Sequence, residues 1–424
     1  MLGPAVPVAI EEVLRGAAPT ALGVILRRGE RFADAEDAVQ DAVLVALGSW
    51  PTAGVPDRPV GWLVRVAQRR LINQHHRDTA RRRRETLVAS WSTLPVEPEA
   101  SEDDSLALLF LCCHGSLTPS AAIPLTLRAV GGLTTREIAG ALLMSDATIA
   151  QRIARAKTTI SRSDQPFCRP PPDLIDSRLP AVMQIIYLIF NEGHAATSGP
   201  NLNRTDLANE AIRLAREVHE RLPDQPEAAG LVALLLLTEA RRPARVAVNG
   251  ELVPLDQQDR RLWNRSMIVE GLHLLTSALS HHAMGEYQLQ AAIAAVHDQG
   301  PSYDATNWTQ IRSLYNHLLL RNDSPLIRLN RAIAVAHADG LRAAEIEVHS
   351  LVDELADYHR YHATVGYLHE LAGELGAAQL AYETAANLAT NDPERRYLRR
   401  KAETGPHSKA SSPVPLIHQH GLNS

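Results

Sequence analysis

The clearest pattern of apolar and polar positions along the chain lies in residues 134–160. Ile138 and Leu142 are four residues apart and share one helical face, and a second apolar stripe follows a break at Met144–Ser145. The spacings within that second stripe are 4, 3 and 4, through Ile149, Ile153, Ala156 and Ile160. Ser145 is a favourable N-cap for the second helix. The pattern predicts two helices joined by a short turn, a helix-turn-helix.

Polar side chains occupy the face of the second helix opposite its apolar stripe. They are Thr148, Gln151, Arg152 and Arg155. Hydroxyl, amide and guanidinium groups hydrogen-bond to base edges and phosphates, and the second helix of such a motif enters the major groove of DNA. The pattern therefore predicts contact with DNA. An ordinary packed helical hairpin stays the alternative interpretation of this window alone.

A further amphipathic helix is predicted at residues 34–47, DAEDAVQDAVLVAL. Its apolar positions form a broad stripe beside an acidic flank. That flank consists of Asp34, Asp37 and Asp41, with Gln40 beside them. For an isolated acidic helix, a solvated face is the usual interpretation.

A strongly cationic helix is predicted to begin near Val60, after prolines at 51, 56 and 59 interrupt the chain. Trp62 stands at its start and arginines follow along one face, with Asn73 and Gln74 between them. Residues 61–84 contain eight Arg and one Asp, a local charge of +7. Because acidic partners at helical spacing are nearly absent, contact with phosphates explains this helix better than surface ion pairs do.

Composition places these helices in an all-α chain of several domains. Of 424 residues, 45% are apolar and only 4% aromatic, and Ala and Leu dominate, which favours helices over sheets. The net charge of −5 conceals the cationic helix, whose expected partner is anionic. Changes in composition divide the chain into small helical domains at 8–85 and 104–163, Pro-rich linkers at 86–103 and 164–172, a large helical domain at 173–404 and a tail at 405–424 that we expect to be disordered.

The last helical domain shows a repeat-like spacing of small residues. Gly366, Gly373, Ala378, Tyr382 and Ala385 follow one another at intervals of 7, 5, 4 and 3. Small residues at such offsets let two antiparallel helices approach closely, and the spacing resembles a tetratricopeptide repeat. A shift of 34 residues reaches Ala332 and Ala344 but replaces the glycines by Ala and Asp. One repeat is indicated, and a non-repeating bundle stays open.

The sequence offers little catalytic or metal-binding chemistry. Residues 112–114, CCH, are adjacent, and adjacent ligands rarely close a tetrahedral metal site, while Cys168 is far along the chain. The polar run 191–194, NEGH, is interpreted as a helix end capped by Gly193, with a ligand or metal site as the alternative. GxGxxG, P-loop, GxSxG and HExxH motifs are absent. We therefore expect a protein that is not an enzyme and holds no metal or cofactor.

Cysteine content and hydropathy bear on the compartment. Three cysteines are too few for a disulfide framework and fit a reducing cytoplasm. The first residues lack the charged and apolar regions of a signal peptide, and no apolar run has the length of a membrane span. We expect a cytoplasmic protein with no membrane partner.

The three motifs together resemble bacterial RNA polymerase sigma factors of the extracytoplasmic-function group. They are DAEDAVQDAVLVAL, RPVGWLVRVAQRRLINQHHR and LTTREIAGALLMSDATIAQRIARAK, in this order and separated by a linker. The resemblance covers residues 8–163. The rest resembles the subgroup with a long C-terminal helical extension related to tetratricopeptide domains, most clearly at 188–199, 287–299 and 329–336.

The resemblance implies three sets of functional residues. Docking on the clamp helices of the largest polymerase subunit is implied for Asp34, Glu36, Asp37, Gln40, Asp41 and Leu44. Contact with the −10 promoter element is implied for Trp62, Arg65, Arg69, Arg70, Asn73, Gln74 and Arg77. Contact with the −35 element is implied for Thr148, Gln151, Arg152, Arg155 and Lys157. The turn position that often holds Gly in this family is Leu143, so we expect a differently built turn or a shifted helix boundary.

The resemblance thus implies a promoter-specificity subunit that bridges the −10 and −35 elements with two DNA-binding domains on one tether. Its C-terminal helical domain would regulate it, either by contact with the sigma domains or through an unknown protein partner. The alternative is a helix-turn-helix regulator that binds an operator as a dimer and senses a ligand or partner through its helical-repeat domain. The acidic helix and the cationic helix together favour the first hypothesis, because an operator-binding regulator has no need of both.

Overall fold

The computed structural model describes residues 8–82, 108–110, 112, 116–162, 172–197, 199, 202–247, 250–280 and 284–403. Within these ranges every regular element is a helix, and β pairing is limited to the isolated bridges Gly199–Asn391 and Val246–Leu252. The all-α fold is therefore confirmed. Two compact units are distinguished, Met1–Ala139 with Met144–Ile185 and Gly140–Leu143 with Ile186–Ser424.

The first unit begins with three helices that pack on one another. They are α1 (Val8–Arg27), α2 (Phe32–Ala53) and α3 (Pro59–Arg82). After these follow α4 (Pro119–Ala129), α5 (Thr135–Ala141), α6 (Asp146–Arg162) and α7 (Pro172–His194). The end of α5 from Gly140 and the part of α7 from Ile186 belong to the second unit. α6 packs against α4 and also against α2, so the helices that follow α3 contact the first three helices.

Helix α2 is longer than the acidic pattern at 34–47 indicated, because Pro51 does not interrupt it. Trp50 is buried, and its ring lies edge-on to that of Trp62, with centroids 5.3 Å apart. This contact between α2 and α3 stabilises one further helical turn, which outweighs the lost hydrogen bond at Pro51. The helix ends at Gly54, whose φ of +83° favours glycine.

The helix-turn-helix forms as predicted, with α5 and α6 on either side of the turn. Ser145 caps α6 by accepting a hydrogen bond from the Thr148 amide at 3.2 Å, as expected of an N-cap. The expectation for Leu143 was wrong, because this residue itself adopts the left-handed conformation with φ +52°. The Met144 amide donates to the Ala139 carbonyl at 2.9 Å, which closes the helix end and offsets a conformational cost of about 1–2 kcal/mol.

The second unit is a succession of helices, most of which pack on their neighbours in sequence. The helices are α8 (Thr205–Arg221), α9 (Pro226–Glu239), α10 (Arg265–Leu279), α11 (Glu286–Gln299), α12 (Trp308–Leu319), α13 (Pro325–Ala338), α14 (Leu341–His349), α15 (Val352–Leu355), α16 (His359–Ala372), α17 (Leu375–Leu388) and α18 (Asp392–Glu403). α9 is central, since it contacts α8, α10 and α11 and buries every residue from Ala228 to Glu239. A helix that is apolar on all sides must be enclosed in this way.

The small residues that resembled a repeat lie where two helices approach closely. A Cβ atom on Gly366 of α16 would lie 3.0 Å from the Tyr382 ring of α17, and Gly373 ends α16 with φ +75°. Ala332 on α13 and Ala344 on α14, 34 residues earlier, are fully buried in their own core cluster. Both helix pairs thus use small side chains at matching positions.

Gly193 has a packing role rather than the predicted capping role. α7 continues through it to His194, and the Arg204 amide donates to its carbonyl at 2.6 Å. A Cβ atom at this position would lie 2.3 Å from the Ala208 amide nitrogen, a backbone atom of α8. Only glycine therefore fits where α8 begins against α7.

We expect Gly193→Ala to lower the free energy of unfolding by about 1–3 kcal/mol, because the added methyl group displaces the backbone of α8. The matched control is Gly376→Ala on α17, where a Cβ meets no atom within 4 Å. That variant should leave stability unchanged or raise it by up to about 1 kcal/mol. Denaturant unfolding of both full-length variants, followed by circular dichroism, measures the difference. Equal stability of the two would contradict the packing role.

Candidate functional site

Helix α2 presents an acidic and apolar face outside its buried stripe. Ala35, Ala38 and Ala42 are buried against the rest of the unit. On the opposite side, the Asp37 side chain is 76% exposed and Leu44 is 65% exposed. Of the other predicted docking residues, Asp34, Gln40 and Asp41 are half-buried. The face combines an exposed apolar side chain with carboxylates around it, which suits a protein-binding surface.

Glu36 differs from this exposed face, because its carboxylate is buried with 3% of the residue exposed. Arg128 of α4 donates to Glu36 Oε1 at 3.3 Å, and Lys157 of α6 donates to Glu36 Oε2. A buried carboxylate needs such compensation, since desolvating an uncompensated charge costs several kcal/mol. Glu36 therefore joins α2 to α4 and α6 instead of facing a partner.

Lys157 links two of the sequence-predicted sets. Besides Glu36, its ammonium group lies 3.7 Å from Asp37 Oδ1, and only 23% of its side chain is exposed. A residue expected on the −35 surface thus pairs with two residues expected on the polymerase surface. Sequence reasoning did not anticipate this pairing, and it also missed Arg128.

Helix α3 presents its arginines to solvent. Leu63, Val64, Ala67 and Leu71 are buried on one face. The other face exposes Arg65, Arg69, Arg70 and Asn73. Arg70 forms an exposed ion pair with Asp41 at 3.1 Å. The half-buried Trp62 anchors the start of the helix on Trp50, and Gln74 and Arg77 belong to the helix but their side chains lie outside the described residues.

Helix α6 also separates an apolar face from a polar one. Ile149, Ile153 and Ala156 are buried. Gln151 and Arg155 are exposed, while Thr148 and Arg152 are half-buried. The Thr148 hydroxyl lies 2.8 Å from the Ser145 hydroxyl, so it also supports the cap of α6. The predicted −35 residues therefore share one side of α6 apart from Lys157, which is turned toward α2.

Potential ligand-binding residues of the polar run 191–194 are buried in the second unit. Both Glu192 carboxylate oxygens accept from the Thr197 amide at 3.2 Å, and His194 Nδ1 lies 3.4 Å from Glu239 Oε2. Across the described ranges, no group of three His, Cys, Asp or Glu side chains is placed to hold a metal ion. Cys112 is buried and forms no disulfide within the described residues, and Cys113, His114 and Cys168 lie outside the described residues.

Comparisons with known proteins match three segments of the chain to protein families. Residues 15–82 match sigma-70 region 2, residues 107–160 match sigma-70 region 4, and residues 178–279 match a family of unknown function (DUF6596). An uncharacterised protein of Rhizobium meliloti (strain 1021) is 40% identical over 404 residues, 92% of this chain and 94% of that protein. No solved structure matches the chain.

The chain belongs to the sigma-70 family of RNA polymerase sigma factors, as a member like those of the extracytoplasmic-function group with a long helical C-terminal part. Regions 2 and 4 give it a role in transcription initiation, with core RNA polymerase and promoter DNA as partners. None of the helices among the described residues combines the length and apolarity needed to cross a bilayer.

The ion pair between Glu36 and Lys157 should be measurable as a coupling energy. In a double-mutant cycle with Glu36→Gln and Lys157→Gln, we expect about 1–3 kcal/mol, because one partner is buried and the hydrogen bond is charge-assisted. The exposed pair of Asp41 and Arg70, changed to Asn and Gln, is the matched control and should give at most about 1 kcal/mol. Denaturant unfolding provides the energies. A Glu36–Lys157 coupling no larger than the control would show that α2 and α6 are not joined in solution.

Proposed function

We propose that this protein binds core RNA polymerase through α2, contacts the −10 element with α3 and contacts the −35 element with α6. The matches to regions 2 and 4 support this division, since each region contains the helices concerned. We further propose that the C-terminal helical domain modulates this activity and that the protein acts in the cytoplasm, where the polymerase operates. The domain boundaries expected from the sequence serve as the working division of these roles.

The exposed face of α2 carries the polymerase-binding part of the proposal. Asp37, Asp41 and Leu44 follow one another at intervals of four and three and therefore lie along one side of the helix. An apolar centre with a charged rim gives affinity through burial and orientation through charge complementarity. A cationic patch next to apolar side chains is the complementary surface.

The cationic face of α3 supports contact with promoter DNA. Arg65, Arg69 and Arg70 are exposed at helical spacing, while the opposite face of the helix is buried. Each phosphate that such a side chain neutralises releases a counterion, which favours binding and makes it depend on salt. The exposed Asn73 offers an amide that can hydrogen-bond to an unpaired base.

The contact between α2 and α6 supports a resting form that must open before promoter binding. Lys157 cannot contact DNA while Glu36 and Asp37 hold it, and Asp37 is part of the proposed polymerase surface. Binding of polymerase at Asp37 would withdraw one of the partners of Lys157. Loading onto polymerase and release of α6 are thus coupled in this proposal.

We expect the double charge reversal Asp37→Arg/Asp41→Arg to abolish capture of core RNA polymerase by the full-length chain, because it replaces the acidic rim with like charge. The matched control is Asp353→Arg/Asp357→Arg, an exposed pair with the same spacing in the second unit, which should bind as the unchanged chain does. Pull-down of purified core enzyme, with circular dichroism to verify folding, gives the result.

Two outcomes of that pull-down would count against the polymerase-binding role of α2. Equal capture by the Asp37/Asp41 variant would remove α2 from the interface. Failure of the unchanged chain to bind core enzyme would favour the operator-binding alternative, which selection of duplex DNA sites would then examine.

A chain of residues 1–171, which ends before α7 begins, should differ from the full chain in transcription from a promoter it recognises. We expect the change because the proposal assigns modulation to the C-terminal domain, and its direction reveals whether that domain activates or inhibits. Run-off transcription with equal amounts of core-bound protein separates this effect from a change in polymerase affinity. Identical transcription by both chains would contradict the modulating role.

A further inference from the structure

A cavity of about 80 Å³ lies within the second unit, between α7, α9, α11 and α12. Its lining includes Arg241, Arg245, His194 and His297 and contains no carboxylate. A cavity of about 150 Å³ holds benzene and one water molecule has about 30 Å³ in the liquid. The space therefore suits a molecule of only a few non-hydrogen atoms.

Positive charge dominates around the cavity. Arg241 pairs with the buried Asp298 at 3.2 Å, and burial raises the pKa of that carboxyl to about 6. The buried Arg245 donates to the His194 carbonyl at 2.6 Å, and burial together with nearby arginines lowers its pKa to about 9. Six arginines lie in this region, at 241, 242, 245, 260, 265 and 360, against the carboxylates of Glu239, Asp298 and Glu394. A small anion would meet a favourable potential here.

The two histidines contribute neutral rings rather than further cations. Burial and the charges of Arg245 and Arg241 lower the pKa of His194, and burial and Arg241 lower the pKa of His297 to about 3. Each ring therefore offers one N–H donor and one acceptor at neutral pH. His297 Nδ1 has no hydrogen-bond partner among the described residues, although the residue is 91% buried.

Gln290 supplies an oriented donor at the cavity wall. It is 2% exposed, and its Oε1 accepts a hydrogen bond from the Tyr187 hydroxyl at 3.0 Å. This bond fixes the amide, while its Nε2 has no partner in the described part of the chain. A buried donor left without a partner is unfavourable, so an acceptor bound beside it would be stabilised.

Part of the remaining wall is apolar, and part carries further polar groups from Tyr187, Thr238, Gln258 and Tyr315. Leu234, Ile293 and Ala294 line the cavity beside the polar groups. A ligand that satisfies both parts has an anionic group toward the arginines and Gln290 and a short aliphatic part toward the leucine and isoleucine. We propose that this cavity binds a small monocarboxylate with a chain of about two to four carbons, held through its carboxylate.

The first experiment is isothermal titration of the full chain with sodium propionate and sodium pyruvate, at ionic strength matched with chloride. We expect saturable binding and a melting temperature that rises with ligand concentration, because a ligand that binds only the folded state stabilises it. Propionamide has nearly the same shape without the charge and should bind at least tenfold more weakly. Phosphate should also bind more weakly, because it has no aliphatic part.

Two variants locate the binding within the cavity. Ala294→Leu fills the space, and Gln290→Glu keeps the acceptor for Tyr187 while it replaces the donor with a carboxylate, so each should weaken propionate binding at least tenfold. The matched control Ala292→Leu is on the same helix, is half-buried and does not line the cavity, so it should retain affinity. If Ala294→Leu fails to fold, Gln290→Glu alone tests whether propionate binds in this cavity.

Several results would overturn the proposal. They are absence of saturable binding by the unchanged chain, equal affinity for propionamide, or full affinity in a folded cavity variant. The first of these would indicate a cavity that holds only water. Neither polymerase nor DNA enters the assay, so its outcome is independent of the proposed role in transcription.

Discussion

One buried carboxylate determines how the first unit is organised. Glu36 lies on α2, whose other acidic side chains are at least partly exposed to solvent. Its carboxylate accepts hydrogen bonds from Arg128 and Lys157, which belong to two later helices. Removing either cation would leave a desolvated charge, whereas removing all three would cost much less. The interaction therefore specifies one arrangement of α2, α4 and α6 more than it adds stability. Lys157 also lies near Asp37. The same group of ion pairs therefore links the proposed polymerase-binding surface to the proposed DNA-binding surface.

Local physics explains which elements the sequence could predict. Helical spacing, the Ser145 cap and the cationic face of α3 depend on neighbours within a few residues, and the structure has each of them. The structure differs from these predictions where contacts between residues far apart in sequence determine the conformation. Pro51 stays helical because Trp50 packs on Trp62, and Gly193 is required by the backbone of a helix that begins a dozen residues later. Such contacts leave no periodic signal in the sequence.

The candidate sites likewise contain some features that the sequence could predict and others that it could not. Exposure of the α3 arginines followed from the lack of acidic residues at helical spacing, and it needed no tertiary information. The pairing of Glu36 with Lys157 joins residues 121 positions apart, which one sequence cannot reveal. The cavity was signalled only by the polar run that ends in His194. Arg241 follows α9, and Gln290 and His297 lie on α11, so packing of two other segments brings them to this run.

The apolar character of α9 has a consequence for how the protein is made. Its twelve residues from Ala228 to Glu239 are all buried, and part of their cover is α11, which ends at Gln299. A ribosome adds about 5–20 residues per second, so roughly 3–12 s pass between completion of α9 and completion of that cover. The segments matched to sigma-70 regions 2 and 4 emerge before this interval begins. Newly synthesised chains thus hold complete sigma-70 segments together with a leucine-rich helix that is only partly covered, and apolar surface exposed in this way is what chaperones bind during translation.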